Sequence, residues 1–132
     1  MTTTTAPTAP PLLTLALRLD AVVTGLNGAA YLALAPFLGE LLGLAPGPLR
    51  GVGAFLVLFA VGVWAVGSRG RVPVAGVEAV ICLNVLWVAA SVAVAVADLG
   101  SPSVVGVVWI HLQAAVVAAF AALQIAGLRR RS

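Results

Sequence analysis

The chain has 132 residues, of which 62% are hydrophobic and only 8% are charged, whereas an ordinary soluble domain carries about 25% charged residues. A soluble domain of this size could not bury so much apolar surface, so the composition excludes a soluble enzyme or binding domain. The formal net charge of +3 does not indicate nucleic-acid binding, because three of the seven arginines are the terminal Arg129, Arg130 and Arg131 and none lies in a soluble basic domain.

Residues 1–11, MTTTTAPTAPP, precede the first apolar segment. They contain no positively charged residue, which a secretory signal would place ahead of its apolar core. We expect a short disordered tail whose final prolines lead into the first helix.

Four apolar segments follow this tail, each close to the ~20 residues that a helix needs to cross ~30 Å of hydrocarbon. Proline, glycine and charged residues separate the segments. The predicted helices are 12–38, 49–68, 74–97 and 103–128, followed by a basic tail at 129–132. Short connections make consecutive helices antiparallel neighbours, so we predict an all-α fold, a four-transmembrane-helix up-down bundle in the lipid bilayer.

The arginines predict the orientation of this bundle, because positive residues accumulate on the cytoplasmic side of a membrane. Six of them lie at the end that carries both termini, and only Arg50 lies at the opposite end. We therefore predict that the N- and C-termini are both cytoplasmic.

Small residues recur on two of the helices. Gly53, Ala60 and Gly67 are spaced seven residues apart on the second helix, and Ala89, Ala93 and Ala97 are spaced four apart on the third. In lipid, such patterns let helix backbones approach closely. Both patterns predict helix packing.

Polar residues interrupt the first helix in the stretch LRLDAVVTGLN. Asp20, Thr24, Asn27 and Tyr31 are spaced by four, three and four residues, so they share one helix face, which must look into the bundle. Arg18 lies near the cytoplasmic interface, where its long side chain can reach water and pair with a carboxylate.

Two further helices contribute polar side chains at matching depths. Asn84 and Trp87 share a face of the third helix, from which Glu78 is rotated by about 120°. Arg18, Asp20, Glu78 and Gln124 form a predicted cytoplasmic tier, and Asn27, Asn84 and Gln113 form a predicted midplane tier. We expect Asn27 to bond across the bundle to Asn84 or Gln113.

Each tier has two interpretations. Asn and Gln side chains commonly fix helix register in lipid through interhelical hydrogen bonds, and the midplane tier is either such a structural network or a ligand site. If Asp20 and Glu78 approach each other, they compete for one proton, unless Arg18 neutralises one of them.

Several kinds of site have no motif in this chain. There is no phosphate-binding glycine loop, no zinc-protease motif and no Ser/His/Asp set, and the chain has one cysteine and one histidine. The sequence therefore predicts no catalytic residues, no cofactor and no metal.

The segments LRLDAVVTGLNGAAYL, LNVLWVAAS and AAFAALQIAGLRR resemble those of uncharacterised small four-helix integral membrane proteins of high-GC bacteria such as actinobacteria, and more loosely those of the DoxX-like membrane proteins. The most specific positions are Arg18, Asp20, Gly25, Asn84, Trp87 and Gln124. The resemblance implies the fold and a location in the bacterial cell (inner) membrane. It implies no activity, because no functional motif matches residue by residue.

These observations leave three functional hypotheses. The first is an accessory or self-associating membrane component, whose partner is a second copy or a larger membrane protein. The second is an intramembrane binder or carrier of a small apolar or amphipathic molecule, with a site formed by Asn27, Tyr31, Asn84, Trp87 and Gln113. The third is a proton- or cation-coupled transporter that titrates Asp20 and Glu78, and a membrane enzyme with the same acid/base pair is the least favoured alternative. A collapsed bundle without a cavity near Asn84 would count against the second and third hypotheses.

Overall fold

The computed structural model describes residues 11–97 and 101–131 and confirms the all-α prediction. Its four helices are α1 (Leu12–Leu42), α2 (Pro46–Gly67), α3 (Val74–Val96) and α4 (Val104–Arg131). All four are long and apolar enough to cross a membrane. The chain thus has the fold of a multi-pass membrane protein, and all but the last residue of the predicted tail at 1–11 lies outside the described residues.

The first helix is longer than predicted, because glycine does not end it where expected. The predicted end was residue 38, but the helix continues through Gly39 to Leu42. It ends at Gly43, whose left-handed φ of 71° closes the last turn with a hydrogen bond from its N–H to the carbonyl oxygen of Gly39. Pro36 lies inside the helix, and the non-helical φ of −120° at Leu34 marks a kink there rather than an end.

The second and fourth helices also extend beyond their predicted ends. Helix α2 begins at Pro46 rather than at residue 49, with prolines in its first turn. Proline is tolerated there because the first backbone N–H groups of a helix have no intrahelical partner. Helix α4 continues to Arg131, so the arginines of the predicted basic tail belong to its last turn.

The helices form a ring that is nearly open on one side. Helix α1 packs closely on α2 and also on α4, and α4 packs on α3, whereas α2 and α3 barely touch. We call the gap between α2 and α3 the α2–α3 seam. The bundle therefore consists of two helical hairpins, α1–α2 and α3–α4, joined mainly through α1 and α4.

Helices α1 and α2 approach closely where two glycines face each other. A Cβ atom on Gly53 would lie 2.8 Å from the carbonyl oxygen of Gly28, and a Cβ on Gly28 would lie 2.8 Å from that of Gly53. Both distances are too short for any other residue. The packing predicted for Gly53, Ala60 and Gly67 is confirmed, since all three are buried.

The second small-residue pattern has a different location. Ala89, Ala93 and Ala97 are exposed on the outer surface of the bundle. The packing predicted for them is therefore absent within this chain. Spacing places these residues on one face of α3 without indicating which way that face points.

The glycine contact yields the first testable prediction. The Gly53→Ala substitution should destabilise the bundle by about 1–3 kcal/mol, because the new methyl group meets backbone atoms of α1 that cannot move aside. Gly62 is the matched control on the same helix, since a Cβ there has no atom within 4 Å. Gly62→Ala should keep or slightly raise stability through its helix propensity. Thermal unfolding in mild detergent measures both, and equal melting temperatures for the two variants would contradict the contact.

Candidate functional site

A buried carboxylate lies at the point where three helices meet. The Asp20 side chain is 0% exposed. Its Oδ1 atom accepts a hydrogen bond of 2.9 Å from the Thr24 hydroxyl on the same helix. Its Oδ2 atom accepts hydrogen bonds of 2.8 Å from the Asn84 Nδ2 of α3 and 2.8 Å from the Gln124 Nε2 of α4. We call these four residues the Asp20 cluster.

The two amides of the Asp20 cluster also bind each other. Asn84 Nδ2 donates a second hydrogen bond, of 3.1 Å, to the Oε1 atom of Gln124. Both side chains are buried, with Asn84 2% exposed and Gln124 0% exposed. A buried carboxylate requires such donors, because nothing in the hydrocarbon replaces the hydrogen bonds that it had with water. The cluster thereby ties α1, α3 and α4 together.

Only two of the four residues predicted to form a cytoplasmic tier lie together in the structure. Asp20 and Gln124 do lie together, but Glu78 is exposed on the outside of α3, so the expected approach of two carboxylates is wrong. Arg18 is also exposed, with its guanidinium 5.6 Å from the centre of the Trp64 ring, and it does not neutralise Asp20. A cation over an aromatic face is a favourable contact that needs no carboxylate.

The predicted midplane tier is corrected as well. Asn84 bonds to Asp20 and Gln124 rather than to Asn27 or Gln113. The distance of each residue from the end of the bundle that carries both termini can be counted along its helix. Asp20 lies eight residues after the start of α1, and Asn84 lies ten residues after the start of α3. Gln124 lies seven residues before the end of α4. At about 1.5 Å per residue the three lie within about 5 Å in height. The assignment of Asn84 and Asp20 to different tiers is therefore wrong.

A second group of polar contacts lies deeper in the bundle. Trp87 Nε1 donates a hydrogen bond of 2.7 Å to Gln113 Oε1. Gln113 Nε2 donates to the Ser91 hydroxyl at 3.0 Å and to the carbonyl oxygen of Ile110 at 3.0 Å. The bonds with Trp87 and Ser91 join α3 to α4, and the bonds with Ser91 and Ile110 use the N–H groups of the Gln113 amide.

Tyr31 completes the polar contacts at this depth. Its hydroxyl accepts a hydrogen bond of 2.7 Å from Trp109 Nε1, which joins α1 to α4. The Tyr31 side chain is buried among apolar residues of α1 and α2, which include Ala35, Leu49 and Leu56. Both tryptophan N–H groups in this part of the bundle are therefore bound to protein acceptors.

A cavity of about 400 Å³ lies between these polar contacts, and all four helices line it. Its volume falls within the range of about 300–1,000 Å³ found for small-molecule pockets. Most of its surface is hydrocarbon or aromatic ring, with the aromatic part supplied by Phe55, Phe59, Trp87, Trp109 and Phe120. The polar part is supplied by Thr24, Asn27, Asn84 and Gln113.

The cavity brings together most of the residues predicted to bind a ligand. Asn27, Asn84, Trp87 and Gln113 line it, whereas Tyr31 does not. Asn27 is half-buried and makes no hydrogen bond to the described part of the chain, so the predicted bond to Asn84 or Gln113 is absent. The phenylalanines were not predicted, because an apolar residue in an apolar helix carries no sequence signal for a cavity.

Aromatic side chains bridge the α2–α3 seam beside the cavity. The rings of Phe55 on α2 and Trp87 on α3 are nearly parallel, with centroids 6.1 Å apart and 14° between their planes. Phe59 continues this arrangement, with its ring 6.1 Å from that of Phe55 and 6° between the planes. Side chains, rather than close backbone packing, thus border this side of the cavity, which stays partly open.

The described residues contain no group of three or more His, Cys, Asp or Glu side chains that could hold a metal ion. In the comparisons with known proteins, no family model, curated protein or solved structure matches this chain. The resemblance to small bacterial four-helix membrane proteins therefore stays a prediction. Function has to be argued from the geometry of the site.

The Asp20 cluster yields the second testable prediction. Asp20→Asn should be tolerated, because the amide oxygen can still accept from Asn84 and Gln124 while the new N–H group faces the Thr24 hydroxyl, which can accept. Asp20→Leu should be much less stable, since it leaves three buried donors without an acceptor, at about 1–3 kcal/mol for each unsatisfied group.

Unfolding of both variants in mild detergent provides the measurement. Glu78→Leu is the control, because the exposed Glu78 carboxylate should contribute within about 0.5 kcal/mol. Equal stability of Asp20→Leu and Asp20→Asn would show that the cluster does not hold the bundle together.

Proposed function

We propose that this protein binds a small, predominantly apolar molecule inside the membrane, in the partly open cavity that its four helices line. The observation that carries this proposal is the cavity of about 400 Å³ beside Asn84. Protein interiors are ordinarily packed as densely as organic crystals, with few voids larger than a water molecule. Polar residues that served only to fix helix register would not require a space of this size.

The lining of the cavity supports a small-molecule ligand. Pockets for small molecules are mostly apolar, with a few polar groups that orient the ligand. This cavity has the same composition, with aromatic rings from three helices and amide groups from α1, α3 and α4. A long-chain lipid with a charged headgroup fits it poorly, because no charged side chain is among the residues that line it.

The α2–α3 seam supports entry of the ligand from the bilayer. An apolar molecule is already concentrated in hydrocarbon. Since the two helices barely touch at the seam, rotation of the Phe55 side chain can widen a path without breaking helix packing. Side-chain rotations are fast compared with movements of whole helices.

We further propose that the protein belongs to the inner membrane of a bacterium, with both termini in the cytoplasm. The arginine distribution supports this orientation, since six of the seven arginines lie at the end that carries the termini. A cysteine-accessibility experiment on a Ser68→Cys variant in the loop between α2 and α3 would test it.

The other hypotheses receive less support. Transport or catalysis by Asp20 and Glu78 required the two carboxylates to act together, and they lie apart, one buried in the bundle and one exposed. Self-association stays a prediction. The exposed alanines Ala89, Ala93 and Ala97 would permit close packing of a second copy against α3, but they do not identify it.

Photolabelling with adamantyl diazirine, a small apolar probe, tests the proposed function. In nanodiscs, we expect saturable labelling of the cavity-lining residues, and we expect excess naphthalene to compete with it. Labels restricted to residues that do not line the cavity, with a linear dependence on probe concentration, would contradict a binding cavity.

The third testable prediction concerns a variant with a filled cavity. Val117→Trp should abolish saturable labelling, because Val117 lines the cavity and the larger indole would occupy its space. Val108→Trp is the matched control on the same helix, since Val108 is 60% exposed and does not line the cavity. The control should label like the original protein, and persistence of saturable labelling in Val117→Trp would place the probe elsewhere.

A further inference from the structure

We propose that the ligand of the cavity carries a hydroxyl group, which donates a hydrogen bond to the side-chain carbonyl oxygen, Oδ1, of Asn84. This inference rests on the proposed function and names the chemical class of the ligand, a neutral apolar alcohol or phenol. It follows from which polar atoms around the cavity are already bound and which are not.

Asn84 supplies the decisive atom. Its side chain is only 2% exposed and it lines the cavity. Both of its N–H groups are bound, one to Asp20 and one to Gln124. Its Oδ1 atom accepts no hydrogen bond from the described part of the chain. A buried carbonyl oxygen without a donor costs free energy, and a ligand that supplies a donor recovers it.

The Asp20 cluster fixes the orientation of the Asn84 amide. If the amide were rotated by 180°, its oxygen would face the carboxylate of Asp20 and the Oε1 atom of Gln124, and three oxygens without a proton between them would repel one another. Asp20 is therefore a positioning residue. It holds the amide nitrogen in hydrogen bonds with its own carboxylate and with Gln124, and leaves the carbonyl oxygen without a donor from the described part of the chain.

The same contact makes that oxygen a better acceptor. Hydrogen bonds in a chain polarise one another, and the effect is larger where the surroundings have a low dielectric constant. Asn84 donates to a carboxylate at 2.8 Å, which shifts electron density toward its carbonyl oxygen. A hydroxyl donor should therefore bind there more strongly than at an isolated amide.

The remaining polar groups around the cavity favour the same ligand class. The N–H groups of Trp87, Trp109 and Gln113 are all bound to protein acceptors. Among the described residues that line the cavity, this leaves the Asn27 amide as an unbound N–H donor. A ketone or ether, which can only accept, leaves Asn84 Oδ1 without a partner, whereas a hydroxyl can donate to Asn84.

The ligand should be uncharged. The residues that line the cavity include no Asp, Glu, Arg or Lys. The Asp20 carboxylate lies behind Thr24 and Asn84, and both of its oxygens already accept hydrogen bonds. An ammonium group in the cavity would lose its hydration without reaching a counter-ion, which is costly in an apolar site.

Competition against adamantyl diazirine labelling tests the proposal with three probes of similar shape. They are 1-naphthol, which has a hydroxyl donor, 1-methoxynaphthalene, which has only an acceptor, and 1-methylnaphthalene, which has neither. Potency is expressed as the mole fraction of competitor in the nanodisc lipid, so that partitioning into the bilayer does not enter the comparison. We expect 1-naphthol to compete at a mole fraction about five- to tenfold lower than the other two.

Variants assign this preference to the Asn84 oxygen. Asn84→Leu should reduce the potency of 1-naphthol to that of 1-methylnaphthalene, while 1-methylnaphthalene itself keeps its potency. Asp20→Asn, which preserves an acceptor for the Asn84 amide, should retain the preference. Glu78→Leu is the control, because Glu78 lies exposed on the outside of the same helix as Asn84 and does not line the cavity, and it should retain the preference as well.

Two failures can be told apart. If saturable labelling is present but all three probes compete equally, or if the cationic 1-naphthylmethylamine competes best, the hydroxyl proposal is overturned and the binding cavity stands. If labelling of the cavity is not saturable at all, the proposed function itself fails. The probe series on the unmodified protein decides the question even if Asn84→Leu does not fold.

Discussion

The structure depends on the hydrogen bonds that a carboxylate needs once it is away from water. Asp20 lies inside a bundle of apolar helices, and its two oxygens take their donors from Thr24, Asn84 and Gln124. Since these donors belong to three different helices, satisfying one side chain fixes the mutual register of α1, α3 and α4. Lipid provides no hydrophobic force to bring helices together, so polar contacts and close packing have to do so.

Helix α2 is held in a different way, which explains the cavity. It contributes no side chain to the Asp20 cluster and packs on α1 through the contact between Gly28 and Gly53. Helices α3 and α4 are tied at greater depth by Trp87 and Gln113. Nothing comparable draws α2 toward α3, so space remains between the two groups of polar contacts, and aromatic side chains border it.

The number of helices, their order and the inward face of α1 could be predicted from the sequence, because apolar length and the spacing of Asp20, Thr24 and Asn27 depend only on helix geometry. The partners of those side chains could not. Asn84 was assigned to the wrong depth, and Glu78 was expected inside although it lies outside. The starts of α1 and α3 were predicted correctly, so these errors come from the partners: spacing within one helix does not show which neighbouring helix a given face meets. The cavity itself had no signature beyond its amides, since Phe55 and Phe120 look like any lipid-facing residue.

The uneven packing of the four helices also makes the two sides of the bundle different. The contact between α1 and α4 joins the hairpins α1–α2 and α3–α4 on one side of the bundle. The seam lies on the opposite side. Because α2 and α3 barely touch, the seam is the side of the bundle on which the contents of the cavity come nearest to the surrounding acyl chains.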